Sequence, residues 1–298
     1  NTQATILHSI KWTSYSLLFL CAYIIGQSEK SASKILKVII VSTLGYVLYG
    51  LALEASGSKT ILGLAKVAYT QDLTSTFVNR NAFAIFTGLG LVVIYGRFIR
   101  HTANLRNRYQ WMKFISSKYG IIFILSIIMM LTGLLLTHSR AGIGATFLTL
   151  YIMTLLSNIK EAEPSKKKKK RWNWKKHILP IAIIVISILL ISDTLWQRTL
   201  QIGEDHASRL EIYRAVWQAT LENVPFFGTG LGTFEDAFHT FKPEYFPYTE
   251  KTYSHAHNVY LELMFEIGIP ATLVCLFLHI SIIRKLWDGF KTRKRDKD

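Results

Sequence analysis

The sequence is poor in cysteine and in acidic side chains, and each shortage narrows what the protein can be. Its 298 residues include only two cysteines, Cys21 and Cys275. Both fall within apolar stretches, so a disulfide framework is not expected. Nineteen acidic residues stand against 35 lysines and arginines, which gives a net charge of +16, and half of the residues are hydrophobic. Soluble domains are seldom both so basic and so apolar, which favours a membrane protein with cationic loops.

Long apolar runs are what the sequence has in abundance. A run of about 18 residues or more is long enough to cross a bilayer. We find about seven: 9–27, 35–53, 82–100, 119–137, 141–158, 177–195 and 259–283. The predicted fold class is therefore all-α, a polytopic transmembrane helix bundle forming a single membrane-embedded domain over residues 1–298. Asn1 is not a methionine and no signal peptide precedes the first run, so we expect a fragment whose earlier spans are missing.

The distribution of lysine and arginine predicts the orientation. Of the 35 basic residues, 25 lie in or beside four connections that alternation places on the cytoplasmic side. These connections are 28–34, 97–118, 159–176 and 284–298. The basic loop 159–176 is then a cytoplasmic anchor that touches anionic membrane lipids, and nucleic acid is not expected as a partner. The long loop at 194–258 falls on the outer side.

Two arginines stand at the outer ends of predicted spans. Ionisable groups are costly in hydrocarbon, and those near it often line a cavity or a pathway. Arg80, in NRNAFA, either extends to the membrane interface or binds substrate. Arg140, in THSRAGIGA, lies in a very short turn, where Gly142 and Gly144 allow a helix or ligand to approach closely. Because its planar guanidinium suits phosphate or carboxylate, Arg140 is predicted to bind an anion.

The long outer loop contains a predicted amphipathic helix. Ser208 and Glu211 form a capping box, and Pro225 ends the helical pattern after roughly four turns. Its apolar stripe is Leu210, Tyr213, Trp217 and Leu221. Arg209 lies in the first turn, where the helix dipole favours an anion, although pairing with a neighbouring acid is equally compatible. The GTGLG that follows has no preceding strand, so we predict a tight turn instead of a dinucleotide site.

A pair of histidines begins the last apolar run, in SHAHNVYLELMFEIGIP. A neutral imidazole accepts a proton near pH 7, so His257 is a candidate general base. H-x-H without a third ligand at a recognised spacing is weak evidence for a metal, and we predict none. Glu262 and Glu266 share a helix face with Asn258 and either orient His257 or pair with an outer arginine. The outer half of this predicted span would therefore line a polar site.

In their order along the chain, NRNAFA, THSRAG, SRLEIYRAVWQATLENVPFFGTGLGTF and AHNVYLELMFEIGIPA resemble the bacterial O-antigen ligase and O-antigen polymerase superfamily. The resemblance covers about residues 75–275. It implies transfer of a glycan from an undecaprenyl-diphosphate carrier to an acceptor hydroxyl, without cofactor or metal and with inversion. It also implies a multi-pass protein of the bacterial inner membrane with its active site on the periplasmic side.

By motif, the resemblance gives catalytic roles to His257, Arg140 and Arg209. Substrate-binding roles are less securely placed, at Arg80, Arg214, Asn258, His255 and Glu262. The acceptor is lipid A-core for a ligase, a growing glycan for a polymerase, or a protein serine or threonine for a related class. A transporter of the lipid-linked glycan is the alternative from another class, but such proteins usually bind near the membrane midplane.

Overall fold

The chain is almost entirely helical. The computed structural model describes residues 2–102, 105, 107–160, 210–243 and 253–292. These residues form ten helices: α1 (Thr2–Gly26), α2 (Glu29–Ala55), α3 (Arg80–Thr102), α4 (Arg108–Ser116), α5 (Lys118–Leu136), α6 (Arg140–Lys160), α7 (210–223), α8 (Phe234–Phe241), α9 (Val259–Ile267) and α10 (Ile269–Thr292). A hairpin of two short antiparallel strands, β1 (Thr60–Ile61) and β2 (Leu64–Ala65), lies between α2 and α3.

Five helices of the described residues are long and apolar enough to cross a membrane. They are Glu29–Ala55, Arg80–Thr102, Lys118–Leu136, Arg140–Ser157 and Ile269–Lys291. Their outward-facing side chains are largely apolar, as a lipid-facing surface requires. The predicted all-α, polytopic fold class is confirmed.

Some of the predicted spans coincide with these helices, and others do not. The runs at 35–53, 82–100, 119–137 and 141–158 coincide with α2, α3, α5 and α6. The run at 9–27 is helical, in α1, but is not among the five candidate spans. The run at 177–195 and the basic block 166–176 lie outside the described residues.

The last predicted span, 259–283, is wrong at its beginning. Gly268, at φ +81°, interrupts the helix, so that α9 ends at Ile267 and the candidate span begins at Ile269. Glu262 and Glu266 therefore lie in a short helix that precedes the span. The break arises from tertiary contact: the backbone N–H of Ile269 donates to the Pro225 carbonyl over 2.9 Å. A Cβ at position 268 would clash with the Phe226 carbonyl, which requires glycine there.

The chain divides into two compact units, Ile25–Leu195 and the combination of Asn1–Ile24 with Trp196–Asp298. In the first, the α2–α6 unit, α3 packs against α2, α5 and α6. Its buried centre is apolar and includes Leu91, Ile94, Met130 and Leu134. In the second, the α7–α10 unit, α7, α8 and α9 enclose a core around Val216, Phe234, Phe238 and Phe265.

Candidate functional site

The starts of α3 and α6 lie side by side in the α2–α6 unit. The Ser139 hydroxyl donates to Asn81 Oδ1 over 2.8 Å, and Gly142 leaves no room for a Cβ beside Ala84. A Cβ at position 144 would have no neighbour within 4 Å. Of the two glycines, therefore, only Gly142 allows the expected close approach. Because both helices begin here, the positive ends of two helix dipoles converge on the same surface.

A buried carboxylate connects these helix starts to the loop before α3. Asp72 is 7% exposed, and its two oxygens have different partners. Oδ2 accepts from Arg80 Nη1 at 2.9 Å, and Oδ1 lies 2.9 Å from His138 Nδ1. The guanidinium of Arg80 also lies over the Tyr69 ring, 5.3 Å from its centroid. Arg80 is therefore held by a structural ion pair, and its predicted contact with substrate stays a prediction.

Arg140 is placed differently from Arg80. It is the first residue of α6, at the positive end of the helix, and its side chain is exposed. Among the described residues, no hydrogen bond or ion pair engages its guanidinium. Its five N–H donors are thus available to an external anion.

The histidine pair forms a turn in front of α9 in the α7–α10 unit. His257 has a left-handed backbone, φ +55°, which is uncommon for a residue with a side chain. The Tyr213 hydroxyl donates to its carbonyl over 3.1 Å. Asn258 then caps α9, with its side-chain oxygen accepting from the N–H groups of Tyr260 and Leu261. The His257 ring is exposed, and no described residue bonds to it.

Glu262 stabilises this turn through His255 and Ala256. One carboxylate oxygen lies 3.1 Å from His255 Nδ1, and the other accepts from the Ala256 backbone N–H at 3.0 Å. Glu262 thus orients His255, whereas the sequence suggested His257 or an arginine as its partner. The contact is at Nδ1, and the His255 side chain is otherwise largely exposed.

Glu266 is buried instead of lining a site. Its carboxylate accepts from the Phe234 N–H at 3.1 Å, at the start of α8. Burial raises the pKa of the Glu266 carboxyl, while backbone hydrogen bonds from Gly232 and Phe234 oppose that rise. A carboxylate at the start of a helix is favourable, so Glu266 fastens α8 to α9.

The loop between α7 and α8 packs closely against the break between α9 and α10. The N–H groups of Thr229 and Gly230 donate to the carbonyls of Phe265 and Glu266, at 3.0 and 2.8 Å. Gly228, at φ +67°, has no space for a side chain because a Cβ would overlap the Glu266 backbone. The GTGLG segment is thus a packed turn that positions α9.

The predicted amphipathic helix is present as α7, but its predicted apolar stripe is not the face that packs into the core. The residues that pack inward are Ile212, Ala215, Val216 and Ala219. Leu210, Trp217 and Leu221 are instead 55%, 45% and 46% exposed. Arg214 is exposed on α7, and Arg209, with the Ser208 cap, lies outside the described residues. In the part of the chain that is described, no three His, Cys, Asp or Glu side chains cluster as metal ligands would.

The family model described as O-antigen ligase matches residues 125–276, just over half of the chain. The chain belongs to the O-antigen ligase family. The matched stretch contains Arg140, Arg209, Arg214, His255 and His257. No curated protein and no solved structure gives a significant match. Membership confirms the resemblance and, with the five apolar helices, identifies a membrane protein.

The sequence analysis did not identify Asp72 and His138, which belong to the polar contacts at the starts of α3 and α6. They are separated by 66 positions, and no local pattern couples them. The signal available for His138 was its place in THSRAG, two residues before Arg140. For Asp72, the signal was the one acidic residue in the loop sequence 56–79 that precedes Arg80.

Proposed function

We propose that this protein transfers a glycan from an undecaprenyl-diphosphate carrier to an acceptor hydroxyl, as an inverting, metal-independent glycosyltransferase. The reaction takes place at the periplasmic face of the bacterial inner membrane. The observation that carries this proposal is the O-antigen ligase family match, since residues 125–276 include all three proposed catalytic side chains. The basic flanks of the spans support the orientation.

Arg140 and Arg209 bind the diphosphate of the donor. A diphosphate is a good leaving group, so the reaction needs charge stabilisation and alignment more than a strong acid. The exposed guanidinium of Arg140, at the start of α6, supports this role because its donors are unengaged by described residues. A guanidinium binds two phosphate oxygens at once, which fixes the direction of the leaving bond.

His257 is the proposed proton acceptor. As the acceptor hydroxyl oxygen bonds to the anomeric carbon, its proton passes to an imidazole nitrogen of His257. The bond from the anomeric carbon to the diphosphate oxygen breaks, and its electron pair stays on the diphosphate. Attack opposite the leaving group inverts the configuration. The exposed ring and the backbone held by Tyr213 support this role, since a base must be both accessible and positioned.

The remaining polar side chains assist binding. His255 and Asn258 contact sugar hydroxyls; the orientation of His255 by Glu262 and an Asn258 N–H₂ unengaged by described residues support this. Arg214, exposed on α7, supplies a further cation for the donor. Arg80 mainly positions the loop that contains Asp72, because its Nη1 already donates to that carboxylate.

The acceptor we favour is lipid A-core, as the family description O-antigen ligase indicates. A polymerase or a protein O-oligosaccharyltransferase would use the same donor and the same residues with a different acceptor. A transporter would bind the donor without making any covalent product.

Reconstitution of the purified protein with a lipid-diphosphate glycan tests the function. Lipid A-core, a second lipid-linked repeat unit and a serine-containing protein are offered separately, with and without chelator. The account expects a new glycosidic bond to lipid A-core that chelator does not prevent. Product on another acceptor would reassign the acceptor, and movement of intact donor across the bilayer without product would make the protein a transporter.

A further inference from the structure

Helix α7 carries apolar side chains on two faces. One face packs into the core of the α7–α10 unit through Ile212, Val216 and their neighbours. The opposite face presents Leu210, Trp217 and Leu221 at helical spacing, each about half exposed. A helix between a protein core and water is normally polar on its outer side. The outer side of α7 therefore faces something less polar than water.

The turn after α7 extends this apolar surface. Phe226 and Phe227 are 70% and 93% exposed, although each is large enough to anchor a core. Their position is fixed, because the neighbouring Pro225 carbonyl accepts from the N–H of Ile269 at 2.9 Å. Ile269 is the first residue of the candidate membrane-spanning helix. The two phenylalanines thus lie at the depth where α10 enters the membrane.

Exposed apolar side chains are also present at the beginning of α10, and a cation lies on the outer side of α7. Leu273 and Val274, one turn into α10, are 53% and 59% exposed, as lipid-facing residues of a span are. On α7, Arg214 lies on the same side as Leu210 and Trp217. An arginine on such a face extends its stem over apolar material and its guanidinium to lipid phosphate.

We propose that Leu210, Trp217, Leu221, Phe226 and Phe227 form a membrane-contact surface, by which α7 lies in the lipid headgroup region beside the entry of α10. The occupant is the bilayer itself, since the Pro225 carbonyl, next to Phe226 and Phe227, accepts a hydrogen bond from the first residue of a candidate membrane-spanning helix. Aromatic side chains with one apolar helix face and an arginine are the composition of interfacial helices.

This membrane contact sets the distance between the histidine turn and the lipid headgroup region. Tyr213 of α7 holds the His257 carbonyl, so a helix fixed in the headgroup region keeps His257 close to it. That consequence rests on the proposed function, in which the reacting diphosphate is at the membrane surface. The membrane contact itself does not depend on it.

The test places an environment-sensitive fluorophore at single cysteines in the full chain, with Cys21 and Cys275 replaced by alanine. Leu221→Cys and Phe227→Cys report on the proposed surface, and Glu222→Cys is the matched control one residue away on α7. The protein is reconstituted in phosphatidylcholine and phosphatidylglycerol vesicles. Quenching by spin-labelled lipids and by aqueous iodide is measured for each probe, which requires no enzymatic activity.

The proposal expects the probes at 221 and 227 to be quenched by spin-labelled lipid and shielded from iodide, with the reverse at 222. Equal quenching of all three by iodide would show that the surface faces water and overturn the proposal. Shielding of 221 and 227 from both quenchers would show that protein covers the surface, which also overturns it. Thermal unfolding of each labelled variant confirms that the fold is retained.

Discussion

Two histidines in different units share one local structure and differ in what their rings contact. His138 and His257 both have left-handed backbones, at φ +49° and +55°. Each is followed by a capping residue and then a helix: Ser139 caps α6, and Asn258 caps α9. The ring of His138 lies 2.9 Å from a buried carboxylate, whereas that of His257 is exposed and unengaged by described residues.

In our proposal, this difference separates a structural imidazole from a catalytic one. His138 Nδ1 contacts the Asp72 carboxylate, which helps to hold the loop before α3 against the start of α6. Among the described residues, His257 is held through its backbone, by the Tyr213 hydroxyl. A side chain positioned in this way has both ring nitrogens unengaged by those residues, as the proposed proton transfer requires. The same short turn therefore serves stability in one unit and, in our proposal, proton transfer in the other.

The largest expected effect is on turnover when His257 becomes asparagine. Asparagine tolerates a left-handed backbone, so the turn should survive while the base is lost. Glycan transfer should fall by about 10²- to 10⁴-fold, the range for a positioned acid-base group. His138→Asn is the matched control and should transfer at close to the wild-type rate. Initial rates with lipid-linked donor measure both, and equal losses in the two variants would erase the distinction between them.

Next in size is the loss of stability when Asp72 becomes asparagine. Removing one partner of a buried ion pair leaves the other uncompensated, which typically costs about 3–5 kcal/mol. The control is Glu29→Gln, which breaks the Arg100–Glu29 pair, whose side chains are 77% and 72% exposed. An exposed pair contributes little, so only Asp72→Asn should lower the unfolding temperature clearly. A similar small shift in both variants would remove the structural role assigned to Asp72.

Arg140→Lys tests the arginine that no described residue engages, in contrast to Arg80, which pairs with Asp72. Lysine keeps the charge but cannot bind two phosphate oxygens in a fixed plane, so transfer should fall by about 10²- to 10³-fold. Arg100→Lys, on the exposed end of α3, is the control and should have little effect. Rates and donor binding are measured on the same preparations. Wild-type turnover by Arg140→Lys would exclude bidentate phosphate binding at this position.

The smallest expected effect comes from Gly228→Ala in the packed turn. Alanine there strains a left-handed backbone and overlaps the Glu266 backbone, which should cost about 1–3 kcal/mol of stability. Gly144→Ala is the matched control, since open space surrounds that position. Thermal unfolding compares the two. If Gly228→Ala were as stable as Gly144→Ala, the turn would not need the close packing between the α7–α8 loop and α9.

Four spans were predictable because an apolar run is a property of the chain itself. The interruption at Gly268 was missed because the apolar run continues through it, although Gly268 and Pro270 are residue types that end one helix and begin another. The face of α7 that packs into the core could not be selected from the sequence. Both of its apolar faces have helical spacing, and the one with the larger side chains is exposed. Two apolar faces on one helix are themselves the signal of a second apolar environment.

The individual residues of the candidate site were predictable from the sequence, but their side-chain partners were not. Arg140 and His257 stand out because they are polar residues beside apolar runs. The partners Asp72–His138 and Glu262–His255 depend on which way each side chain turns after folding. Short-range spacing put Glu262 on the right helix face but did not select His255 over His257.

The pH dependence of kcat/KM tests most directly whether His257 accepts the proton. A base must be deprotonated to act, so the wild type should lose activity as the pH is lowered. His138→Asn should keep this acid limb unchanged. The account predicts that the residual activity of His257→Asn has no such limb. An acid limb that persists in His257→Asn would contradict it and assign the proton to another group.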